Sequence, residues 1–193
     1  MGEFAPDEVG SIIDSSRIPL ECEDSSLASQ VSVGFAMQDQ CHSNWCWAAV
    51  AASVATFYNA TTLRLQCTIA NEELQRSDCC DSTCHAAGVA YNVVGALGSP
   101  LNRAGHLTSI TFGWITRLRL QQDLEAMLPV CVRTEWSGGG GHFVVIAGYS
   151  PESDTLTVCD PLRGVSALSF DTFRTSYTPS QGRWTHTYHT QAG

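Results

Sequence analysis

The chain has 193 residues, 44% hydrophobic and 15% charged, which is too apolar for a disordered polypeptide and fits one compact domain or two small lobes sharing a core. Ten basic residues against nineteen acids give a net charge of −9, and every basic residue is arginine. Without lysine, Schiff-base chemistry and a phosphate-cradling P-loop are excluded, and an acidic chain with no basic stripe argues against nucleic acid as the main partner.

Residues 1–34 form a zone of their own. Seven of the first 24 residues are acidic (Glu3, Asp7, Glu8, Asp14, Glu21, Glu23, Asp24) and only Arg17 is basic, which reads as a flexible arm or the remnant of a pro-segment. The stretch MGEFAPDEVG has neither a basic start nor an apolar core, so no secretory signal is expected in it. Val31 to Phe35 alternates like a short strand. The segment Gln38 to Trp47 then runs into AAVAASVATFYNA, where Trp47, Val50, Ala51, Val54 and Tyr58 fall at helical spacing. Ser43 or Asn44 is the expected cap and Asn59 the expected stop, so Cys46 falls in the first turn of a buried helix.

A short helix is expected over Asn71 to Arg76 and another over Ala86 to Leu97, with Gly98-Ser99-Pro100 ending it and marking a lobe boundary. Gln121 to Leu128 reads as a helix closed by Pro129, and Val130 to Trp136 as a strand. A serine and four glycines lead to an apolar strand from His142 to Tyr149. A Pro151–Asp154 turn and a strand over Thr155 to Cys159 complete a hairpin that ends at Asp160-Pro161. A strand over Val165 to Phe170, a capped helical turn over Asp171 to Tyr177 and a closing strand over Trp184 to Thr190 follow. Helices first and antiparallel strands second make an α+β pattern. No apolar run approaches the roughly 20 residues of a membrane span.

Nine cysteines is a high and odd number. One working thiol and up to four bridges in an oxidising environment fit that count. Cys67, Cys79, Cys80, Cys84 and His85 lack a clean zinc spacing, so disulfides are the better reading there, with vicinal Cys79 and Cys80 each bonded elsewhere. Cys41 is also expected in a disulfide.

The sharpest chemical feature is a cysteine at a helix N-terminus, where free N–H groups and the helix dipole favour a thiolate. Acyl transfer then needs a base and donors for the oxyanion. His142, opening a buried strand after the glycine run, is the base candidate. Asp160 lies 18 residues on, where a return hairpin brings it back beside that strand's start to hold one imidazole tautomer. Gln40, six residues before Cys46, is the oxyanion donor candidate, with Gln38 as its rival. His42 is a rival base, while His186 and His189 are expected to face solvent. Trp136, beside the glycine run, walls the groove or caps the core.

These blocks resemble the papain-like cysteine proteases. Gln40 followed by Cys46-Trp47-Ala48 is similar to the papain oxyanion-glutamine and nucleophile motif. Ser43 to Ala49, Gly139 to Tyr149 and Asp160-Pro161 are closer still to a bacterial branch that includes plant-pathogen effector proteases, with bacteriocin-processing peptidases more distant. The likeness covers roughly residues 36–190 and extends to a closing strand at Trp184 to Tyr188. It implies a two-lobed fold, with a helical lobe over about 35–105 carrying the nucleophile and a β lobe over about 106–193 carrying His142 and Asp160, together one catalytic domain over 35–193. It also implies Cys46 as nucleophile, His142 as general base, Asp160 as orienting carboxylate and Gln40 as oxyanion donor. Two departures stand out. Papain-type enzymes usually carry Asn as the third member, and Ser43 occupies the position of a papain cysteine, so the papain disulfide is not transferred.

The expectation is a peptidase acting as a monomer on peptide or protein substrates with no cofactor and no metal, secreted or delivered as an effector. The −9 charge on its own favours basic peptides, although net charge says little about one cleft. The acidic arm is a candidate inhibitory segment for the groove. A transpeptidase, cyclase or acyltransferase would use the same residues. A non-catalytic disulfide- or zinc-stapled interaction module is the reading from another class.

Overall fold

The computed structural model describes residues 30–177 and 181–193, so the expected acidic arm lies, up to residue 29, outside the described residues. Helix α1 (Cys46–Tyr58) is buried continuously from Cys46 to Ala55. Its alanines let neighbours approach on every side, which is how a helix survives without a polar face. Asn59 ends it as expected, but the expected cap is absent: Trp45 is the N-cap and no side chain caps the first turn. Asn44 is diverted instead, giving its backbone N–H to Asn92 Oδ1 and its side-chain amide to Asn92 O.

Helix α2 (Gln66–Leu74) begins five residues before the expected Asn71. Gln66 ties it to the loop ahead of α1, accepting from the Cys41 N–H at 2.7 Å and donating to Asp39 O at 2.8 Å. Disulfides Cys41–Cys84 and Cys67–Cys80 staple the same region, with Cα separations of 4.4 and 5.1 Å.

The expected helix over 86–97 does not form; the segment is turns and loop. The indole N–H groups of Trp45 and Trp47 take the carbonyls of Tyr91 and Val93, which a helix would need for its own ladder. A short helix α3 (Gly98–Arg103) forms where a break was expected. Pro100 lies in its first turn, where a missing N–H costs nothing.

Strand β2 (Leu107–Phe112), unforeseen in the sequence reading, leads to α4 (Arg117–Glu125). That helix starts four residues early because the Thr116 hydroxyl accepts from the Arg119 N–H and caps it. Strands β3 (Val130–Glu135), β4 (Gly141–Ser150), β5 (Thr155–Asp160) and β6 (Gly164–Ser169), helix α5 (Phe170–Ser176) and strand β7 (Arg183–Thr190) complete the chain.

All strand pairs are antiparallel, in the order β2-β7-β3-β4-β5-β6. Residues Val31–Ser32 form β1, which pairs with Tyr149 and Gly148 of β4 beyond the last β3 partner, Ile146. Strand β4 is buried from His142 to Tyr149, as expected of a central strand covered on both faces. The core is one continuous cluster joining α1 to the sheet, with Trp45, Trp47, Phe170 and Phe173 among its largest fully buried members. Because β4 and β5 run antiparallel, the start of one and the end of the other share an edge of the sheet. The α1 N-terminus meets that edge.

Candidate active site

Three side chains distant in sequence converge at this edge. Cys46 is the first residue of α1, so its N–H has no intrahelical acceptor. His142 is the second residue of β4 and Asp160 the last of β5. The His142 Nε2–H donates to Asp160 Oδ1 at 2.7 Å, and the ring also hydrogen-bonds the Cys46 side chain. With Nε2 occupied, Nδ1 is the ring nitrogen left for sulfur.

The electrostatics follow from these contacts. Burial works to lower the His142 pKa, but hydrogen bonds to Asp160 and Cys46 and the charges on both outweigh it, raising it to about 9. Burial works to raise the Asp160 pKa, and the hydrogen bond and charge of His142 overcome it, with further help from Tyr177 and the Leu162 N–H. Asp160 stays ionised as a result, and imidazolium is the favoured form of His142 at neutral pH.

Sequence reasoning missed Tyr177. Its hydroxyl donates to Asp160 Oδ2 at 2.6 Å, while the Leu162 N–H donates to Oδ1 at 2.7 Å. Burial and the neighbouring carboxylate push the Tyr177 pKa up, so the phenol keeps its proton and remains a donor. No spacing rule links a tyrosine ending a helix to a carboxylate ending a strand. Trp136, for which two roles stood open, takes part in both: its ring stacks on His142 at 5.9 Å and on Tyr177 at 6.5 Å, and it also lines the cleft.

Gln40 is buried just ahead of α1. Its Nε2 donates to His42 O at 3.0 Å and Ser43 O at 3.1 Å, while Oε1 has no partner. Gln38 is engaged elsewhere, donating its side-chain amide to Arg64 O. His42 packs edge-on against Trp45 and Tyr91, and burial followed by the charge of His85 lowers its pKa. His189 does not face solvent as expected: it is buried and bonded to Asp123 Oδ2 and Thr111 Oγ1, both at 3.1 Å. His186 is half-buried against Phe112.

Among the described residues, Cys79, Cys131 and Cys159 are free and buried, as Cys46 is. Cys79 is free and buried rather than bonded, which departs from the expectation that both vicinal cysteines pair. Burial and then the charge of Asp78 push its pKa up, and burial does the same to Cys131 and Cys159. Cys41, Cys67, Cys80 and Cys84 are consumed in disulfides, so the zinc reading of the 67–85 segment has lost the ligands it needs.

A cleft of about 590 Å³ opens over Cys46 and His142. Trp47, Val94 and Gly95 form one side, and Trp136, Phe143 and Leu162 also contribute to its lining. The volume suits a peptide segment rather than a small ion. No helix among the described residues is long and apolar enough to cross a membrane.

Comparison with known proteins identifies the fold and the family. Xylellain, a cysteine protease from Xylella fastidiosa, superposes with a TM-score of 0.53 at 13% identity, covering 97% of this chain and 95% of that one. The peptidase domain of Streptococcus ComA, a bifunctional ABC transporter involved in quorum sensing, gives a TM-score of 0.51 at 17% identity, covering 81% of this chain and 99% of that one. At these identities the likeness establishes a shared papain-like fold of the α+β class. No curated protein sequence matches. The family described as papain-like cysteine protease AvrRpt2 matches residues 27–178. The chain therefore belongs to that family and is a cysteine protease, a hydrolase acting on peptide or protein substrates.

Proposed function

We propose that the chain hydrolyses peptide bonds through a thioester, with Cys46 as nucleophile, His142 as general acid and base, and Asp160 as the carboxylate that orients His142. The contact that carries the proposal is His142 bridging the Asp160 carboxylate and the Cys46 thiol. The thiolate at the helix N-terminus adds to the scissile carbonyl, and the N–H of Cys46 faces the oxygen that takes up the charge. The His142 imidazolium gives its proton to the leaving amine as the C–N bond breaks, leaving a thioester and neutral imidazole. Neutral His142 then removes a proton from water, which attacks the thioester and frees the acid and the thiolate. Asp160 keeps its charge throughout and holds the ring in one tautomer.

Gln40 is included as the second oxyanion donor, which requires one of its N–H groups to turn from a loop carbonyl to the substrate oxygen. Residues 35–193 act in this scheme as one catalytic domain.

The test is Cys46→Ala. Hydrolysis should fall to background while circular dichroism and the melting transition stay those of the wild type. Iodoacetamide should modify Cys46, which lines the cleft, in the native wild-type protein far faster than Cys79, Cys131 or Cys159, whose thiols burial holds protonated. Full activity in Cys46→Ala would end the proposal.

A further inference from the structure

The charge lining the cleft is opposite to the charge of the chain. Arg133 and Arg163 both line it, and among the described residues none that lines it is a carboxylate. The chain has no lysine, and each of these arginines is a fork with fixed geometry suited to a carboxylate.

Arg133 is a placed side chain. It lies on β3 opposite Phe143, one residue along from the Thr134–His142 pair. Its guanidinium donates to Thr185 Oγ1 at 3.0 Å and to Gly140 O at 3.4 Å. A Cβ at Gly141 would stand 2.9 Å from that guanidinium and 2.7 Å from Thr134 O, so glycine there gives Arg133 its path across the strand. Its acidic neighbour, Glu135, is 3.7 Å away and more than half exposed, which leaves the fork without a close bidentate partner. Arg163 follows the Asp160-Pro161 turn beside Leu162. Its Nε lies 3.7 Å from Asp160 Oδ2, a carboxylate already committed to Tyr177 and His142. Both side chains keep exposed surface, at 25% and 37%.

We infer that the cleft selects peptides with acidic side chains near the scissile bond, read by Arg133 and Arg163. This rests on the peptidase function proposed above and deepens it by naming a substrate class. Net charge points the other way, toward basic peptides, but a Debye length of roughly 8 Å in physiological salt screens the distant acids, and the two acids beside the arginines, Glu135 and Asp160, are not among the residues that line the cleft. Trp47, Trp136 and Phe143 supply apolar walls around them.

The test has two stages. The wild-type protein is given a proteome-derived peptide library, and the cut sites are aligned by mass spectrometry. Matched synthetic peptides carrying Glu, Gln or Lys at the most enriched position are then compared by kcat/KM. The Glu peptide should exceed the Gln peptide about tenfold, with the Lys peptide poorer still, and 0.5 M NaCl should compress the ranking.

Arg133→Glu and Arg163→Glu should each reverse the ranking at one position. Arg133→Gln and Arg163→Gln should flatten it and serve if the reversals fail to fold. Reading the Glu/Gln ratio within each variant cancels any general loss from disturbing Asp160. A wild-type enzyme that cuts without acidic enrichment, or a ranking unmoved in the arginine variants, overturns the inference and leaves the peptidase function standing. A wild-type enzyme that cuts nothing brings down both.

Discussion

The hydroxyl of Tyr177 lies 2.6 Å from Oδ2 of Asp160, on the side of the carboxylate away from His142. Tyr177 reaches no reacting atom; it is a positioning residue. It fixes the rotation of a carboxylate that in turn fixes an imidazole. Tyr177→Phe keeps the ring that stacks on Trp136 and meets Phe173 edge-on but leaves Oδ2 without its buried donor. Such a loss is worth about 1–3 kcal/mol. The expected result is a kcat lowered by about tenfold with KM little changed, and an acid limb of kcat/KM moved to higher pH as the carboxylate becomes easier to protonate. A purely structural role would lower the melting temperature without moving that limb.

The alkaline side is set by His142, whose pKa is raised to about 9. A group raised on folding stabilises fully below its unfolded value, near 6.5, and loses that contribution as pH rises through about 9. Both kcat/KM and the melting temperature should therefore fall across that window, since in the proposed mechanism the imidazolium is also the acid for the leaving amine. Asp160, lowered on folding, contributes above its ordinary 3.8 and loses that contribution as pH falls through its depressed value. Asp160→Asn removes the charge but keeps the shape, so the alkaline limb should move to lower pH. An NMR titration of the His142 ring checks the same shift directly, and a ring titrating near 6.5 in the wild type would contradict it.

Gln40 offers a choice between two roles. As an oxyanion donor its loss should cost about 10²–10³ in kcat. As a brace between the carbonyls of His42 and Ser43, its loss should lower the melting temperature while kcat falls less than tenfold. Gln40→Ala, measured for both quantities, decides between them, and the expected outcome is the large kcat loss.

Gly95 is where the cleft wall has no room. A Cβ there would sit 2.6 Å from Cε2 and 2.7 Å from Cδ2 of Trp47. The indole cannot retreat easily, being fully buried and tied to Val93 O at 3.1 Å. Overpacking of this kind costs about 1–3 kcal/mol. Gly95→Ala should thus lower the melting temperature by about 3–10 °C and raise KM, because both residues line the cleft. An unchanged KM would show that substrate does not use this wall.

The two disulfides among the described residues close loops of different length, with sequence separations of 43 and 13. Loop-closure entropy assigns roughly 4 kcal/mol to the first and roughly 3 to the second. Replacing Cys41 and Cys84 by serine should therefore lower the melting temperature more than replacing Cys67 and Cys80. The larger effect should also come with lost activity, since Cys41 adjoins Gln40 and lies five residues before Cys46. The reverse order of stability would mean that native contacts, not chain entropy, govern these bridges.

Strong local signals were readable from the chain alone. The alanine-rich run after Trp45 permits only a buried helix, and its start puts Cys46 at a free N-terminus. The apolar run from His142, the turn at 151–154 and the strand ending at Asp160 define a hairpin by period and turn chemistry, and a hairpin must return its end beside its start. That reasoning was enough to name both partners of the 2.7 Å His142–Asp160 bond.

Tertiary structure decided the rest, because competition for hydrogen bonds is not local. The segment 86–97 has helical composition, yet two indoles from α1 claim its carbonyls, and no window along the sequence contains both parties. Tyr177 meets Asp160, Trp136 settles over His142, and Arg133 crosses Gly141 only once α5, β3 and β4 are packed. The sign of the cleft was hidden for the same reason. Net charge sums the whole surface, whereas a bound peptide meets the few residues that folding brings to one wall.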